Sequence, residues 1–301
     1  MIVEPRKKVS YLIGKISIYI ILVAVALVCV LPFWHVLMQS LSDPIKLYSN
    51  KNFLWWFIKT DEGKASSEAY QMIFAYKRIW RAYGNTVLYT FTSTILGLIL
   101  MSTAAYVLSR RRVMLNKFLM VFIMITMFFS GGLIPYFIVV RSLGLANTPL
   151  ALIIPGCINA FYIIMLKNGM ESLPYDYYEA ARVDGAGHLY CYARVIMPLV
   201  GPFLSVTVLF SAIGHWNSWV AASIFINSRH PELYPLQIVL RDILVRNDVP
   251  GIVKPGGYPL AFYMDAIKSA SIIVGSLPLL LVYPFVQKYF EKGIVLGGVK
   301  G

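Results

Sequence analysis

Aromatic and amide side chains that could bind a ligand are concentrated in one short run of this sequence, His215-Trp216-Asn217-Ser218-Trp219. Aromatic faces stack on C–H surfaces, and amides hydrogen-bond hydroxyl groups. Trp219 follows Trp216 by three residues and His215 by four, a spacing that places side chains on one face of a helix. Together these groups could hold a polyhydroxylated ligand. Asn159 and Tyr162 offer the same chemistry more sparsely.

A second polar stretch, residues 174–198, interrupts an otherwise apolar half of the chain. Tyr177 to Asp184 predicts a short helix, and Pro174 suits its entry. Gly185 or Gly187 supplies the left-handed residue that ends such a helix.

The same stretch offers a surface that a partner could approach. Ala180 and Ala181 leave one face of the first helix nearly bare, and a second short helix over residues 188–195 leads to Pro198. This pattern is typical of a docking element, and equally of an amphipathic hairpin lying on a membrane.

Catalytic and metal-binding patterns are missing from these 301 residues. Cys29, Cys157 and Cys191 are scattered without ligand spacing, and no Gly-x-x-x-x-Gly-Lys-Ser/Thr phosphate loop occurs. We therefore expect no metal site, no cofactor held by this chain and no enzymatic activity of its own.

The composition predicts an integral membrane protein. Only 14% of the residues are charged, against roughly 25% in soluble domains, and the mean hydropathy is +0.67. Apolar runs long enough to cross a bilayer as helices recur along the chain. We expect a single all-α domain over residues 1–301, with six spans at about 11–38, 85–109, 118–140, 150–166, 199–226 and 266–286.

Basic clusters predict the orientation of these spans. Arg6-Lys7-Lys8 and Arg110-Arg111-Arg112 lie close to span ends, where such residues favour the cytoplasm. The net charge of +13 is thus explained by membrane topology rather than by nucleic acid. Both termini and the stretch 174–198 are then expected in the cytoplasm.

Away from their ends the predicted spans contain almost no ionisable residues. His35 and His215 fall within or beside the spans, and Lys15 and Lys268 lie near span ends. Ion-coupled carriers and intramembrane enzymes retain such groups despite a cost of at least ~2.5 kcal/mol each. An external energy source is therefore expected for any transport. Gly131, Gly132 and Pro135 should kink or break the third span, either for packing or beside a wet pathway.

The polar stretch carries a specific resemblance. Its Glu179-Ala180-Ala181, Asp184-Gly185-Ala186 and Pro198 resemble the EAA loop of binding-protein-dependent ABC importer permeases of the MetI-like fold. The resemblance extends over nearly the whole chain and is closest to MalG-like carbohydrate permeases. Within these, residues 129–135, 215–219 and 234–237 resemble the LplC-type branch, which is associated with oligo- and polysaccharides.

This resemblance implies a subunit of an ATP-driven importer in the bacterial cytoplasmic membrane. The implied partners are a second, non-identical permease, two ATP-binding subunits that hold ATP and magnesium, and an extracellular sugar-binding protein. Glu179 and Gly185 would lie at the ATPase contact, while His215, Trp216, Asn217, Trp219, Asn159 and Tyr162 are candidates for the substrate pathway. Packing is the alternative role for these six. Import of a non-sugar solute and a scaffold or sensor role are the alternatives to sugar uptake.

Overall fold

The computed structural model of the chain describes residues 5–110, 113–247 and 258–297. Within those ranges the regular structure is helical and contains no strand. The all-α prediction is therefore confirmed for the described residues. Arg111, Arg112 and the C-terminal residues 298–301 lie outside them.

Fifteen α-helical segments occur along the described chain. They are α1 Pro5–Ser40, α2 Pro44–Ser49, α3 Glu68–Ala75, α4 Lys77–Leu108, α5 Asn116–Phe128, α6 Leu133–Ser142, α7 Leu150–Ile153, α8 Ala160–Glu171, α9 Asp176–Val183, α10 His188–Tyr190, α11 Met197–Leu199, α12 Gly201–Trp216, α13 Val220–Phe225, α14 Leu236–Arg241 and α15 Met264–Gly297. Cys191–Ile196 and Asp242–Arg246 are π-helical, and Pro231–Leu233 and Leu260–Phe262 are 3-10 turns.

The chain divides into two compact units, and the first contains residues 1–76 and 242–276. In this unit the start of α15 contacts the end of α1, and the 3-10 turn before α15 contacts α2. Ser269 Oγ donates to Gln39 Oε1 at 2.8 Å, and the rings of Tyr48 and Phe262 lie 4.6 Å apart. Buried Ile73, with no exposed surface, is part of the apolar core of this unit.

Helix α1 exposes its apolar side chains along most of its length. The most apolar 18-residue window of Gly14–Ser40 has a mean hydropathy of 2.9, and none of that window is buried. A helix that is this apolar and this exposed needs lipid or another apolar partner around it. The structure therefore agrees with a membrane role for the first predicted span.

The second unit, residues 77–241 and 277–301, is built around α4, which packs against α8 and α12. Small residues allow the closest approaches. A Cβ at Gly97 would lie 2.0 Å from the carbonyl oxygen of Cys157, and one at Gly169 would lie 2.7 Å from the Phe203 ring. Ser93 Oγ, on the same helix as Gly97, donates to the Ile153 carbonyl at 3.4 Å. Small residues at such contacts are typical of membrane helix packing.

The third predicted span is broken. Helices α5 and α6 meet at an angle of 112° across a four-residue gap. Gly132 has a φ of +83°, a left-handed conformation that glycine adopts without steric cost. Pro135 lies in the first turn of α6, where its missing N–H has no helical partner to lose.

The fourth predicted span, residues 150–166, is not one helix in the structure. Helix α7 ends at Ile153, a turn follows, and α8 runs from Ala160 to Glu171. Pro155 and Gly156 account for the interruption, because proline cannot donate to a helical carbonyl and glycine weakens a helix. The sequence predicted one continuous helix here because the apolar run is long enough to cross a bilayer.

The fifth predicted span, residues 199–226, also divides. Helix α12 ends at Trp216 and α13 begins at Val220. At this end the backbone N–H and the side-chain amide of Asn217 both donate to the Ile213 carbonyl at 3.1 Å, and the Ser218 N–H closes a shorter turn on the His215 carbonyl at 3.2 Å.

The described chain has three helices long and apolar enough to span a membrane, or up to five if each bent pair counts as one. The three are Gly14–Ser40, Lys77–Leu108 and Met264–Pro284, which overlap the predicted first, second and sixth spans. The second pair, His188–Leu199 with Gly201–Trp216, bends by 83°. The membrane character agrees with the sequence, while the count of six and the single-domain organisation remain predictions.

Candidate functional site

The stretch 174–198 forms two short helical segments joined by a tight turn. Helix α9 ends at Val183, and Gly185 has a φ of +83°. The Ala186 N–H donates to the Ala181 carbonyl at 2.9 Å, and the Gly185 N–H to the Arg182 carbonyl at 3.1 Å. This pair of bonds is the Schellman arrangement that closes a helix on a left-handed residue. Gly187, with a φ of −71°, does not need to be glycine for that reason.

The outer face of this loop is open to a partner. Glu179, Ala180, Asp184 and Gly185 are exposed, while Ala181 and Ala186 are half-buried. Large apolar side chains lie on the same surface, and Val183 is 87% and Leu189 77% exposed. Exposed apolar residues next to charges are typical of a protein interface.

The inner face of the loop is held by a stacked arginine at the end of α4. The Arg110 guanidinium carbon lies 4.6 Å from the centre of the Tyr106 ring and 4.8 Å from that of Tyr178. Tyr106 belongs to α4 and Tyr178 to α9, so one side chain links the two helices. A cation on an aromatic face contributes about 0.5–1 kcal/mol when exposed and about 2 kcal/mol or more when desolvated.

Hydrogen bonds reinforce the same junction. Tyr106 Oη donates to the His188 carbonyl at 3.2 Å, and Tyr178 Oη lies 3.2 Å from His188 Nδ1. Deeper in the unit, Ser102 Oγ and Tyr192 Oη are 2.7 Å apart. The loop is therefore fixed to α4 at several points and can move with it as one body.

The second helical segment buries two side chains of its π-helical turn. Cys191 and Ile196 have 0% and 2% of their surface exposed, and Ile196 belongs to a core with Met101 and Leu166. Pro198 is exposed at the start of α11. An open groove of 780 Å³ lies beside α9, and its lining includes Arg110, Glu179, Arg182 and His188.

The aromatic run at residues 215–219 does not form one face, because α12 ends within it. Trp216 is buried at 8% exposure, and its ring meets Tyr83 edge-on at 6.1 Å. His215 lines a cavity of only 20 Å³ together with Thr86 and Tyr89, room for about one water molecule. The expectation of a shared face for His215, Trp216 and Trp219 was wrong. It assumed a continuous helix, whereas α12 ends at Trp216 and Trp219 lies beyond it.

The two candidates in the region of the fourth span have structural contacts. Asn159 Oδ1 accepts from the Phe161 N–H at 2.8 Å and caps α8. Tyr162 packs against the core that contains Met101 and Leu166. Neither side chain is brought next to Trp219 by any contact in the described part of the chain.

Two residues that the sequence did not single out as ligand contacts lie next to the exposed end of the aromatic run. Gln237 Nε2 is 3.4 Å from Asn217 Oδ1, and the Arg241 guanidinium carbon lies 4.3 Å from the centre of the Trp219 ring. Asn217 is exposed, and Trp219 is 37% exposed. Both new residues belong to α14, about twenty positions further along, so only the fold brings them here.

Anchors at the start of α4 place α14 in this position. Asn85 Nδ2 donates to the carbonyls of Glu232 and Tyr234 at 2.7 and 3.0 Å, and the Leu236 N–H donates to Thr86 Oγ1 at 2.7 Å. The pKa of Glu232 is lowered by a hydrogen bond from its own backbone N–H and by His230 nearby, so this carboxylate is ionised near neutrality.

Metal-binding clusters of three or more His, Cys, Asp or Glu side chains are not found among the residues the structure describes. The three cysteines are free thiols, with Cys157 and Cys191 buried and Cys29 exposed. The break between α5 and α6 contains Gly131 and Gly132, and Pro135 follows it. Over the residues the structure describes, no hydrogen bond or ring contact joins these three to the candidate substrate residues.

Residues 94–296 match the family model described as the inner membrane component of binding-protein-dependent transport systems. The chain belongs to this family. It is thus a permease component, the membrane subunit of an ABC transport system. The family that the sequence predicted by resemblance is confirmed.

The relatives extend over nearly the whole chain. The polygalacturonan/rhamnogalacturonan transport system permease protein YtcP of Bacillus subtilis is 39% identical, over 94% of this chain and 97% of that protein. The protein LplC of the same organism is 35% identical, over 92% of this chain and 91% of its own length.

A solved structure has the same fold. It is the crystal structure of a bacterial ABC transporter involved in the import of the acidic polysaccharide alginate. One of its chains aligns with a TM-score of 0.83 at 29% identity, covering 96% of this chain and 99% of that chain.

Proposed function

We propose that this chain is a permease subunit of an ATP-driven importer for oligo- or polysaccharides. The observation that carries the proposal is the near full-length likeness to polysaccharide transport permeases, at up to 39% identity. Two of those relatives handle glycans that carry carboxylates, polygalacturonan and alginate. An importer for oligo- or polysaccharides is therefore the function that this likeness supports best.

The proposed architecture has six spans in a bacterial cytoplasmic membrane, with both termini in the cytoplasm. The split segments α7–α8 and α12–α13 would then each cross the bilayer in two pieces. Such broken helices are tolerated where they are covered by protein or line a wet cavity. A bend at membrane depth beside a pathway is common in transporters.

The proposed partners follow from the surfaces that the chain leaves open. The apolar flanks of α1 suit lipid or a second, non-identical permease. The exposed loop of α9 would dock on one of two ATP-binding subunits, and those subunits would hold ATP and magnesium. An extracellular binding protein would deliver the sugar.

The coupling role falls on residues of the loop itself. Glu179, Asp184 and Pro198 are exposed to a partner, and the small Ala180, Ala181 and Ala186 permit a close approach. Gly185 sets the angle at which α9 meets the second helical segment. Movement imposed on α9 by the ATPase would pass to α4 through the Arg110 stack.

The substrate role falls on the exposed part of the aromatic cluster. Trp219 and Asn217 are open to a ligand, whereas Trp216 and Tyr162 are packed and Asn159 caps a helix. His215 would support the cluster from its water-sized cavity.

Reconstitution tests the proposed function. The permease pair and its ATPases are placed in liposomes with the cognate binding protein. We expect the glycan-loaded binding protein to stimulate ATP hydrolysis and glycan uptake above the level with the empty binding protein. If no oligo- or polysaccharide stimulates hydrolysis or is taken up, while another solute is, the sugar assignment is wrong.

Removing the arginine stack should weaken coupling. Replacing Arg110 with methionine keeps an unbranched side chain but removes the cation held between Tyr106 and Tyr178. We expect glycan uptake to fall several-fold relative to ATP hydrolysis, since up to about 2 kcal/mol of attraction is lost. The number of ATP molecules hydrolysed per glycan measures this.

The matched control for this change is Lys117→Met, which removes one positive charge from the neighbouring α5. It should leave the ratio of hydrolysis to uptake unchanged. An Arg110→Met variant with an unchanged ratio would show that the stack has no part in coupling.

A further inference from the structure

At the exposed end of the aromatic cluster, a guanidinium lies on an indole ring, and the described residues place no acidic partner beside it. The Arg241 guanidinium carbon lies 4.3 Å from the centre of the Trp219 ring. Over residues 5–110, 113–247 and 258–297, Arg241 forms no ion pair. Its side chain is half-buried.

An arginine in this setting costs free energy unless something offsets it. A partly desolvated charge without an opposite charge is destabilising, and the attraction of one indole ring offsets only part of that. A packing role would be served as well by an uncharged side chain of the same length. The position therefore favours a guanidinium that meets an anion from outside the chain.

The cation–π contact of Arg241 with the Trp219 ring does not use the guanidinium N–H groups as hydrogen-bond donors. A guanidinium that lies on a ring still has its N–H groups in its own plane, and these form the fork that matches a carboxylate with two parallel hydrogen bonds. Lysine lacks this fork.

The neighbouring groups suit a sugar ring. Asn217 and Gln237 present amides 3.4 Å apart that can donate to and accept from hydroxyls. The exposed part of Trp219 offers an aromatic surface for C–H groups. A carboxylate donor set, two amides and an indole together match a sugar acid better than a neutral sugar or a bare anion.

The backbone that carries Gln237 and Arg241 is held in place by hydrogen bonds to α4. Asn85 and Thr86 of α4 hold the segment that starts α14 through three hydrogen bonds of 2.7 to 3.0 Å. Leu236, at the start of α14, is fully buried. These contacts fix Gln237 and Arg241 against residues some twenty positions earlier in the chain.

We propose that Arg241, stacked on Trp219 beside the amides of Asn217 and Gln237, binds the carboxylate of a uronic acid residue in the transported glycan. Arg241 is thus a residue that determines specificity for acidic over neutral oligosaccharides. This inference rests on the proposed function. It adds that the glycan is acidic and that Arg241 is the side chain that recognises its carboxylate.

The test uses the complete importer in liposomes with its binding protein and two probes of equal length, a tetragalacturonate and its neutral methyl ester. Arg241→Met keeps an apolar stem on Trp219 and removes the fork and the charge. We expect uptake of the acid to fall on the order of tenfold or more, as loss of a charge-assisted pair implies. Uptake of the ester should stay within about twofold. Arg241→Lys should recover only part of the loss, because charge returns without the fork.

The control variant is Arg229→Met, which removes one exposed arginine from the same connection and should change neither uptake. Thermal unfolding of Arg241→Met should occur at the wild-type temperature or above it, because the variant removes a half-buried charge that has no opposite charge beside it. The inference is overturned if Arg241→Met leaves acid uptake unchanged, lowers acid and ester uptake equally, or if the wild type imports only neutral glycans. In those cases the proposed function stands. If the wild type imports no glycan, the proposed function itself fails and the inference falls with it.

Discussion

Replacing Gly185 with valine is expected to abolish most of the transport while the protein still inserts into the membrane. Gly185 has a φ of +83°, where an ordinary L-residue loses about 1–2 kcal/mol and a β-branched residue more. The turn would relax to another conformation, and α9 would leave its angle to the second helical segment. We expect binding-protein-dependent uptake to fall on the order of tenfold or more.

Gly187→Val is the matched control, because it places the same side chain two residues further along. Gly187 has a φ of −71°, and an added Cβ meets nothing within 4 Å at either glycine. The two variants therefore differ in backbone conformation rather than in crowding. Equal uptake by Gly185→Val and Gly187→Val would reject the role assigned to the turn.

Gly97→Ala should destabilise the helical bundle strongly for a change of one methyl group. The new Cβ would lie 2.0 Å from the carbonyl oxygen of Cys157, and a backbone atom cannot rotate away. Overpacking of this kind costs about 1–3 kcal/mol, occasionally more. We expect a lower midpoint of thermal unfolding in detergent and a lower yield of monodisperse protein.

Gly84→Ala tests whether that loss comes from the contact or from the helix. Gly84 lies on the same helix, α4, and a Cβ there meets nothing within 4 Å. Since alanine is the better helix former by about 1 kcal/mol, this variant should be as stable as the wild type or slightly more so. A Gly97→Ala variant that unfolds at the wild-type temperature would contradict the close approach of α4 to Cys157.

The sequence could predict features that depend on local chemistry. The all-α class follows from apolar runs of helical length, and the end of α9 follows from one glycine at a helix terminus. The break beside Gly132 also follows from residues next to it. Each of these depends on backbone preferences that act over a few positions.

Continuous helices in the fourth and fifth predicted spans were not borne out, for two different reasons. Pro155 and Gly156 are residues that commonly end a helix, but the long apolar run around them favoured the prediction of one continuous span. The end of α12 at Trp216 could not be predicted, because no proline or glycine stands between Trp216 and Val220 to signal the turn that Ser218 closes on the His215 carbonyl.

Contacts between distant parts of the chain could not be predicted from spacing. Arg110 reaches Tyr178 across 68 positions, and Arg241 reaches Trp219 across 22. From the sequence alone, any exposed tyrosine or tryptophan could have been the ring that Arg110 or Arg241 contacts. Only the packing of α4 against its neighbours selects the pairs, which is why the sequence identified the loop and the aromatic run but missed the arginines that serve them.

Cross-linking of the loop to the ATPase tests the central claim most directly, namely that α9 is the surface through which ATP drives this permease. Val183, 87% exposed on α9, is replaced by cysteine. A reagent with a maleimide at one end and a photoreactive benzophenone at the other is added to membranes that contain the full importer, so that the second bond forms by C–H insertion and needs no thiol on the ATPase. Lys64→Cys, whose native side chain is 77% exposed, is the control. It lies between the first and second predicted spans, which places it outside the cell when the N-terminus is in the cytoplasm, and the unchanged chain gives the background of the native thiols. The account predicts that the Val183→Cys permease is joined to an ATP-binding subunit and that the Lys64→Cys permease is not. No cross-link from Val183→Cys, or an equal yield from both positions, would contradict it.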